Sequence, residues 1–225
     1  MILFVESVEP TNKASLCASV SLWQITPFSC CRTGWRGRGG LHYAAPMADK
    51  IYLSANELML DSFRLGKMVL DSGWRPDVLI ALWRGGTPVG VAVHELLLYR
   101  GIPTVHMAVK CQSYSGIGQR GEVVFENTEA VFAQIRPDHR VLVVDDIFDS
   151  GCTARAVLRR LVPRTAEVRL ATLYWKPNAN VTDLRPHYHV RETDAWIVFP
   201  HELEGLTVDE IRQKDAVLHA MLYGG

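Results

Sequence analysis

The stretch Val141-Leu-Val-Val-Asp-Asp-Ile-Phe-Asp-Ser-Gly-Cys-Thr-Ala154 decides how this chain is read. Val141 to Val144 are four consecutive apolar residues, the pattern of a short strand buried on both faces. Asp145 and Asp146 stand where that strand should end, and Asp149 follows in the turn. Ser150, Gly151, Cys152 and Thr153 then lead into a helical stretch, Ala154 to Leu161. A strand that passes through small residues into a helix N-terminus presents unpaired backbone N–H groups and the positive end of the helix dipole, and together these attract phosphate. Carboxylates just upstream suit hydroxyls or a divalent cation. Phosphate, diol and metal describe a phosphorylated sugar. One Asp alone could merely cap the helix. Three crowded at one strand end cost stability unless a ligand engages them.

Working outward, 225 residues with 48% hydrophobic content suffice for one sizeable domain with a real core. The formal charge is zero, so bulk electrostatics favour neither nucleic acid nor a membrane surface. No apolar run is long enough to span a bilayer. Five cysteines without a CxxC pair make neither a disulfide framework nor a zinc site, and reducing cytosol is the simplest compartment. Residues 1–46 differ from the rest. They hold Cys17, Cys30 and Cys31, a Ser/Thr-rich middle and the basic, Gly-rich run Arg32 to Gly40. Glu6 and Glu9 follow the apolar start too closely for a secretory signal. The leader reads as disordered or as a non-native extension, with Met47 as the natural start. It carries four of the 24 basic and two of the 24 acidic residues, which leaves the domain at 47–225 slightly acidic.

From Met47 onward the chain alternates strand and helix. Ser54-Ala-Asn-Glu57 is a capping box, and the helix behind it should run to about Leu70 with Met59, Phe63 and Leu70 on one face. Val78 to Trp83 reads as a buried strand, Thr87 to Tyr99 as a helix stopped by Gly101, and Thr104 to Val109 as the next strand. Residues 110–121 read as a loop, and Asn127 to Ile135 as a short helix. Glu167 to Trp175 reads as a further strand. Such alternation argues for a parallel sheet flanked by helices. Residues 176–206 break the rhythm, with strand candidates at His187 to Val190 and Trp196 to Phe199, and suit an appendage covering a ligand. Thr207-Val-Asp-Glu210 is a second capping box and opens a terminal helix.

The signature run resembles the phosphoribosyl-pyrophosphate (PRPP) motif of type I phosphoribosyltransferases. The resemblance implies an α/β core, a parallel twisted sheet flanked by helices, with a small C-terminal hood at about 176–206. It implies that Asp145 and Asp146 hold the ribose hydroxyls, that Asp146 helps place Mg²⁺, and that Ser150, Gly151, Cys152 and Thr153 cradle the 5-phosphate. Cys152 departs from the pattern, since many members have a second Gly there. Trp83-Arg-Gly-Gly86 resembles the pyrophosphate loop of the 6-oxopurine enzymes. It would bring Arg84, Gly85 and Gly86 to PRPP and place a cis peptide between Trp83 and Arg84. Read alone, a Gly-Gly turn after a strand is an ordinary βα connection. Ser113-Tyr114 resembles the Ser-Tyr pair of the mobile catalytic loop, and the local sequence fits a plain hairpin tip equally well.

The resemblance is closest to the hypoxanthine/xanthine-guanine group. There an Asp at the Asp149 position lies near purine N7 as general acid/base. Lys176 would contact O6, Trp196 would stack on the base, and the backbone of Ile197 would read its edge. Glu202 would join Asp146 at the metal. Trp196 could also be a core strand aromatic. His187 and His189 have no third ligand at useful spacing and read as strand residues. The resemblance implies a cytoplasmic purine-salvage transferase that uses PRPP, a purine base and Mg²⁺, binds neither nucleic acid nor membrane, and forms a dimer or tetramer. The alternatives are a phosphoribosyltransferase for another nucleobase and a PRPP-sensing regulator.

Overall fold

The two long apolar runs of the sequence lie side by side at the centre of the sheet. In the computed structural model, which describes residues 50–116, 119–126 and 128–224, with the side chains of 112–124 and 126 outside that description, β2 (Val78–Trp83) pairs in parallel with β5 (Arg140–Phe148). Neither strand alternates in polarity, because both faces of the sheet are covered. The main sheet has six strands, and the outermost two on one side are β3 (Val105–Gly116) and β4 (Gln119–Glu126). Beyond β5 lie β6 (Glu167–Trp175) and β7 (Tyr188–Glu192), giving the order β4-β3-β2-β5-β6-β7. Five of these strands are parallel, and β4 runs antiparallel to β3.

Helices cover the two faces. On one, α1 (Ala55–Asp71) and α2 (Gly86–Tyr99) bury Leu65, Val69, Val89, Val93 and Leu97 against Leu79, Leu142 and Leu173. Each such side chain contributes roughly 1.5–3 kcal/mol of transfer free energy. On the other face, α4 (Cys152–Leu161) packs Val157 and Leu161 against Val78, Ile80, Val141 and Val143, beside the single turn α3 (Glu129–Phe132). Both capping boxes form as expected, with Ser54 closing on Glu57 and Thr207 on Glu210. Gly101 ends α2 in the left-handed region at φ 72°. The terminal helix is broken at Asp215 into α5 (Val208–Lys214) and α6 (Ala216–Tyr223), the Asp215 carboxylate capping the second piece.

Several sequence expectations are corrected. The buried face of α1 is Leu58, Leu65 and Val69, while Met59 and Phe63 are exposed. Gly66 decides this: α2 approaches so closely that a Cβ there would lie 2.9 Å from the Leu96 side chain. The expected loop at 110–121 is instead largely strand, with Lys110 paired to Glu126 and Ser113 to Val123. The signature strand does not stop before its acids. Pairing with β6 continues to Phe148, so Asp145 and Asp146 lie within β5. The first strand candidate of 176–206 joins the main sheet as β7. The second, β8 (Trp196–Val198), forms a separate two-stranded parallel sheet with β1 (Lys50–Tyr52). The leader expectation lies outside the described residues. Of the described cysteines, Cys111 is a free thiol and Cys152 is disulfide-bonded, which the cysteine spacing did not foretell.

Candidate active site

Because β2 and β5 are adjacent and parallel, the turns that leave them open at the same end of the sheet. The first turn carries a cis peptide between Trp83 and Arg84, at the position the resemblance implies. Its glycines are dictated by the neighbouring strand. A Cβ on Gly85 would sit 1.9 Å from Asp146 Oδ2, and one on Gly86 would sit 2.5 Å from the Val144 carbonyl oxygen. The second turn follows Phe148 and reaches Gly151, whose φ of 78° favours glycine. Gly151 is also crowded: a Cβ would meet Thr182 Oγ1 at 2.4 Å and Asn180 Oδ1 at 2.7 Å. The Val181 N–H donates to the Ser150 carbonyl at 3.0 Å, tying this turn to the segment after β6. Gly151 caps α4 without a side-chain hydrogen bond of its own, and the Cys152 N–H donates to Ser150 Oγ at 3.4 Å.

A pocket of about 480 Å³ opens between these turns, lined by Arg84, Gly85, Asp145, Asp146, Thr153 and Glu202 among others. A second pocket of about 280 Å³ shares Asp145 and Thr153 and continues past Asp149, Ser150 and Gly151. Burial pushes the Asp145 carboxyl well above the ordinary carboxylate range, and the charge of Asp146 adds to this. Asp146 is raised by burial, against the pull of its hydrogen bond with Asp145 and of nearby His201. Arg84 is exposed and pairs with Glu204 at 3.6 Å. Cys111 also lines the larger pocket. Burial and the Asp145 charge push its thiol up to about 12, so it is no nucleophile.

Asp149 stands at the mouth, half-exposed, with Oδ2 3.9 Å from Lys176 Nζ. Lys176 is buried, and its backbone N–H donates to the Phe148 carbonyl at 2.9 Å, directly beside the signature turn. Its ammonium lies 5.7 Å from the ring centroid of Trp196, a residue 58% exposed and therefore no core aromatic. Ile197, next along β8, is buried. Asp149, Lys176 and Trp196 thus converge from three separate segments. Glu202 lines the larger pocket, and its Oε2 also accepts from the Phe199 N–H at 3.1 Å. The side chains of Ser113 and Tyr114 lie outside the described residues. His187 Nδ1 accepts from the Leu170 N–H, and His189 pairs with Glu192, so both are engaged at the sheet edge.

Sequence reasoning gave no role to His201, Glu204 or Lys110, which line the same pocket. His201 lies between Trp196 and Glu202, both assigned roles above, but nothing local marks which side of that turn faces the pocket. Among the described residues no group of three or more His, Cys, Asp or Glu is gathered to hold a metal. The oxygen donors of Asp146 and Glu202 fit Mg²⁺, a hard cation that commonly takes one or two carboxylates and completes its shell with water and substrate phosphate.

Comparison with known proteins agrees with this geometry. A family model described as phosphoribosyl transferase domain matches residues 42–206. A xanthine-guanine phosphoribosyltransferase from Cereibacter sphaeroides is 30% identical over 172 residues, 74% of this chain and 91% of that protein. A solved purine phosphoribosyltransferase from Pyrococcus horikoshii is 27% identical, with a TM-score of 0.58 over 71% of this chain and 97% of its own. A hypoxanthine phosphoribosyltransferase from Staphylococcus aureus, 19% identical with a TM-score of 0.54, covers 65% of this chain and 78% of its own and matches in fold. With a parallel sheet whose paired turns meet beside two adjacent carboxylates, and a family match across most of its length, the chain belongs to the phosphoribosyltransferase family.

Proposed function

We propose that the protein transfers the 5-phosphoribosyl group from PRPP to a 6-oxopurine (hypoxanthine, guanine or xanthine), yielding the nucleoside monophosphate and pyrophosphate in cytoplasmic purine salvage. The observation that carries this is the convergence of Asp149, Lys176 and Trp196 beside the signature turn. An exposed indole offers a stacking surface for a planar base. An ammonium only donates hydrogen bonds, so Lys176 selects an oxo group over an amino group at C6. Asp149, on the pocket side of Lys176, takes the N7 proton as N9 attacks C1 of the ribose and the C1–O bond to pyrophosphate breaks. Arg84 and the amides of Gly85 and Gly86 bind the departing pyrophosphate. Asp145 and Asp146 hold the ribose hydroxyls, and the amides of Ser150 to Thr153 anchor the 5-phosphate. Asp146 and Glu202 would hold Mg²⁺, which supplies charge neutralisation at the pyrophosphate. The hairpin bearing Ser113 and Tyr114 would close over PRPP, and β8 would form the hood over the base. A dimer or tetramer is the expected assembly.

The test is turnover of Mg²⁺-PRPP with hypoxanthine, guanine, xanthine and adenine, alongside Asp149→Asn. Turnover of a 6-oxopurine but not adenine, slowed ~10²–10⁴-fold in the variant, is the expected outcome. Turnover of adenine alone, or PRPP binding without turnover of any base, would sink the 6-oxopurine assignment.

A further inference from the structure

The turn after β8 holds a side chain whose surroundings are too specific for a pocket wall alone. His201 stacks on Phe199 with ring centroids 5.6 Å apart and planes only 17° from parallel. Phe199 is itself buried and packs edge-on against Tyr174, so the imidazole plane is referenced to the core. The backbone that carries it is tied twice. The Glu202 N–H donates to the Phe199 carbonyl at 3.0 Å, and Lys214 Nζ donates to that same carbonyl at 2.8 Å and to the carbonyl of Glu202. From this rigid mount, His201 Nε2 lies 3.8 Å from Asp146 Oδ2. The other ring nitrogen, Nδ1, is buried and has no hydrogen-bond partner among the described residues.

The orphaned Nδ1 identifies the tautomer. A buried N–H without an acceptor is costlier and rarer than a buried acceptor without a donor. The proton therefore belongs on Nε2, the nitrogen that has a carboxylate beside it. A donor on Nε2 aims at one oxygen of Asp146, and Gly85 packs against the same carboxylate from the other turn. We infer that His201 is a positioning residue for Asp146: its Nε2–H holds Oδ2, leaving the carboxylate in one orientation toward the PRPP pocket. The 3.8 Å separation is longer than a hydrogen bond, and tightening on ligand binding converts it into one. The inference rests on the PRPP reading of that pocket, but not on which base is used.

Two variants separate positioning from packing. His201→Phe keeps an aromatic ring on Phe199 and removes the donor. His201→Gln removes the ring but can return an N–H near the Nε2 position. Calorimetric titration of each with Mg²⁺-PRPP, without any base, should show binding weakened about tenfold in His201→Phe and recovered to within about threefold of wild type in His201→Gln, with thermal stability of the Phe variant unchanged. In turnover assays the His201→Phe defect should appear in KM for PRPP, with KM for the base unmoved. Wild-type PRPP affinity in His201→Phe, or equal loss in both variants, would overturn the positioning role. Wild-type protein that fails to bind Mg²⁺-PRPP would overturn the reading of the pocket, and this inference with it.

Discussion

The carboxylates of the scaffold and those of the pocket are held in opposite ways. Asp77, at the N-terminal end of β2, receives Arg140 through its guanidinium and backbone N–H, and the hydrogen bond to that side chain holds it below the usual carboxylate range. Glu210, in the second capping box, is held down to about 2 by the Lys50 ammonium and the Thr207 backbone. These acids are ionised to the benefit of the fold. Asp145 and Asp146, at the C-terminal end of the neighbouring strand, are both pushed up by burial; the charge of Asp146 raises Asp145 further, while the hydrogen bond with Asp145 pulls Asp146 the other way. His201 brings an imidazole near Asp146, at 3.8 Å. The scaffold's acids are held in the charged form by cations of the protein, whereas burial works against ionisation of the pocket's acids. That contrast is the expected cost of a preorganised site.

The largest effect that could break the comparison is at Gly85. Its φ is an ordinary −68°, so nothing in its backbone demands glycine, and only the approach to Asp146 does. Gly85→Ala should lower kcat/KM for PRPP by more than ~10²-fold with circular dichroism unchanged, because the new methyl displaces the pyrophosphate turn or the carboxylate. Near-normal activity would mean that the two turns do not constrain each other.

Asp145→Asn sharpens the contrast. A raised folded pKa means that the native state binds the proton more tightly than the unfolded chain. The penalty is absent below the unfolded value of about 4, grows as pH rises toward the folded value, and is complete above it. Ligand-free Asp145→Asn should therefore be more stable than wild type at pH 7, by on the order of 1 kcal/mol in urea unfolding, with the advantage vanishing near pH 3.5. Transferase activity should be largely lost. Destabilisation at pH 7 would contradict the assignment of this carboxylate to function at the expense of the fold.

The smallest effect is the mirror image. Asp77 has a lowered folded pKa, so its contribution is present above the unfolded value and is lost as pH falls through the folded one. Its pair with Arg140 is 38% to 41% exposed, so solvent screening limits the contribution. Asp77→Asn should cost about 0.5 kcal/mol at pH 7 and progressively less as pH falls below about 4, measured by the same unfolding curves. A stabilising effect would erase the distinction between scaffold and pocket.

Local pattern revealed much of this protein. The capping boxes at Ser54 and Thr207 formed as read, and the span of β6 was read in full, because each depends on residues three or four apart or on a continuous run. The signature turn was legible for the same reason: acids, small residues and helix start lie within fourteen consecutive positions. The buried face of α1 was misread because Met59 and Phe63 satisfy a helical period as well as Leu58 and Leu65 do. Residues 110–121 were read as a loop because this polar, Gly-containing segment lacks an alternating pattern, yet cross-strand pairing extends β3 to Gly116 and starts β4 at Gln119. His201 went unassigned because a turn residue's direction depends on what ties the turn, here a lysine thirteen residues further on.

The sequence by itself determined the α/β class, the two small-residue turns between strand and helix and the identity of the acids. Those follow from hydrophobic periodicity and from the chemistry that small residues and carboxylates permit at a helix N-terminus. Only the tertiary structure decided that the two turns interlock, that β7 extends the main sheet while β8 pairs with β1, and that Lys176 and Trp196 arrive beside Asp149. Those are contacts between segments far apart in the chain. They are set by which strands become neighbours and how closely helices approach, quantities that no local run of residues encodes.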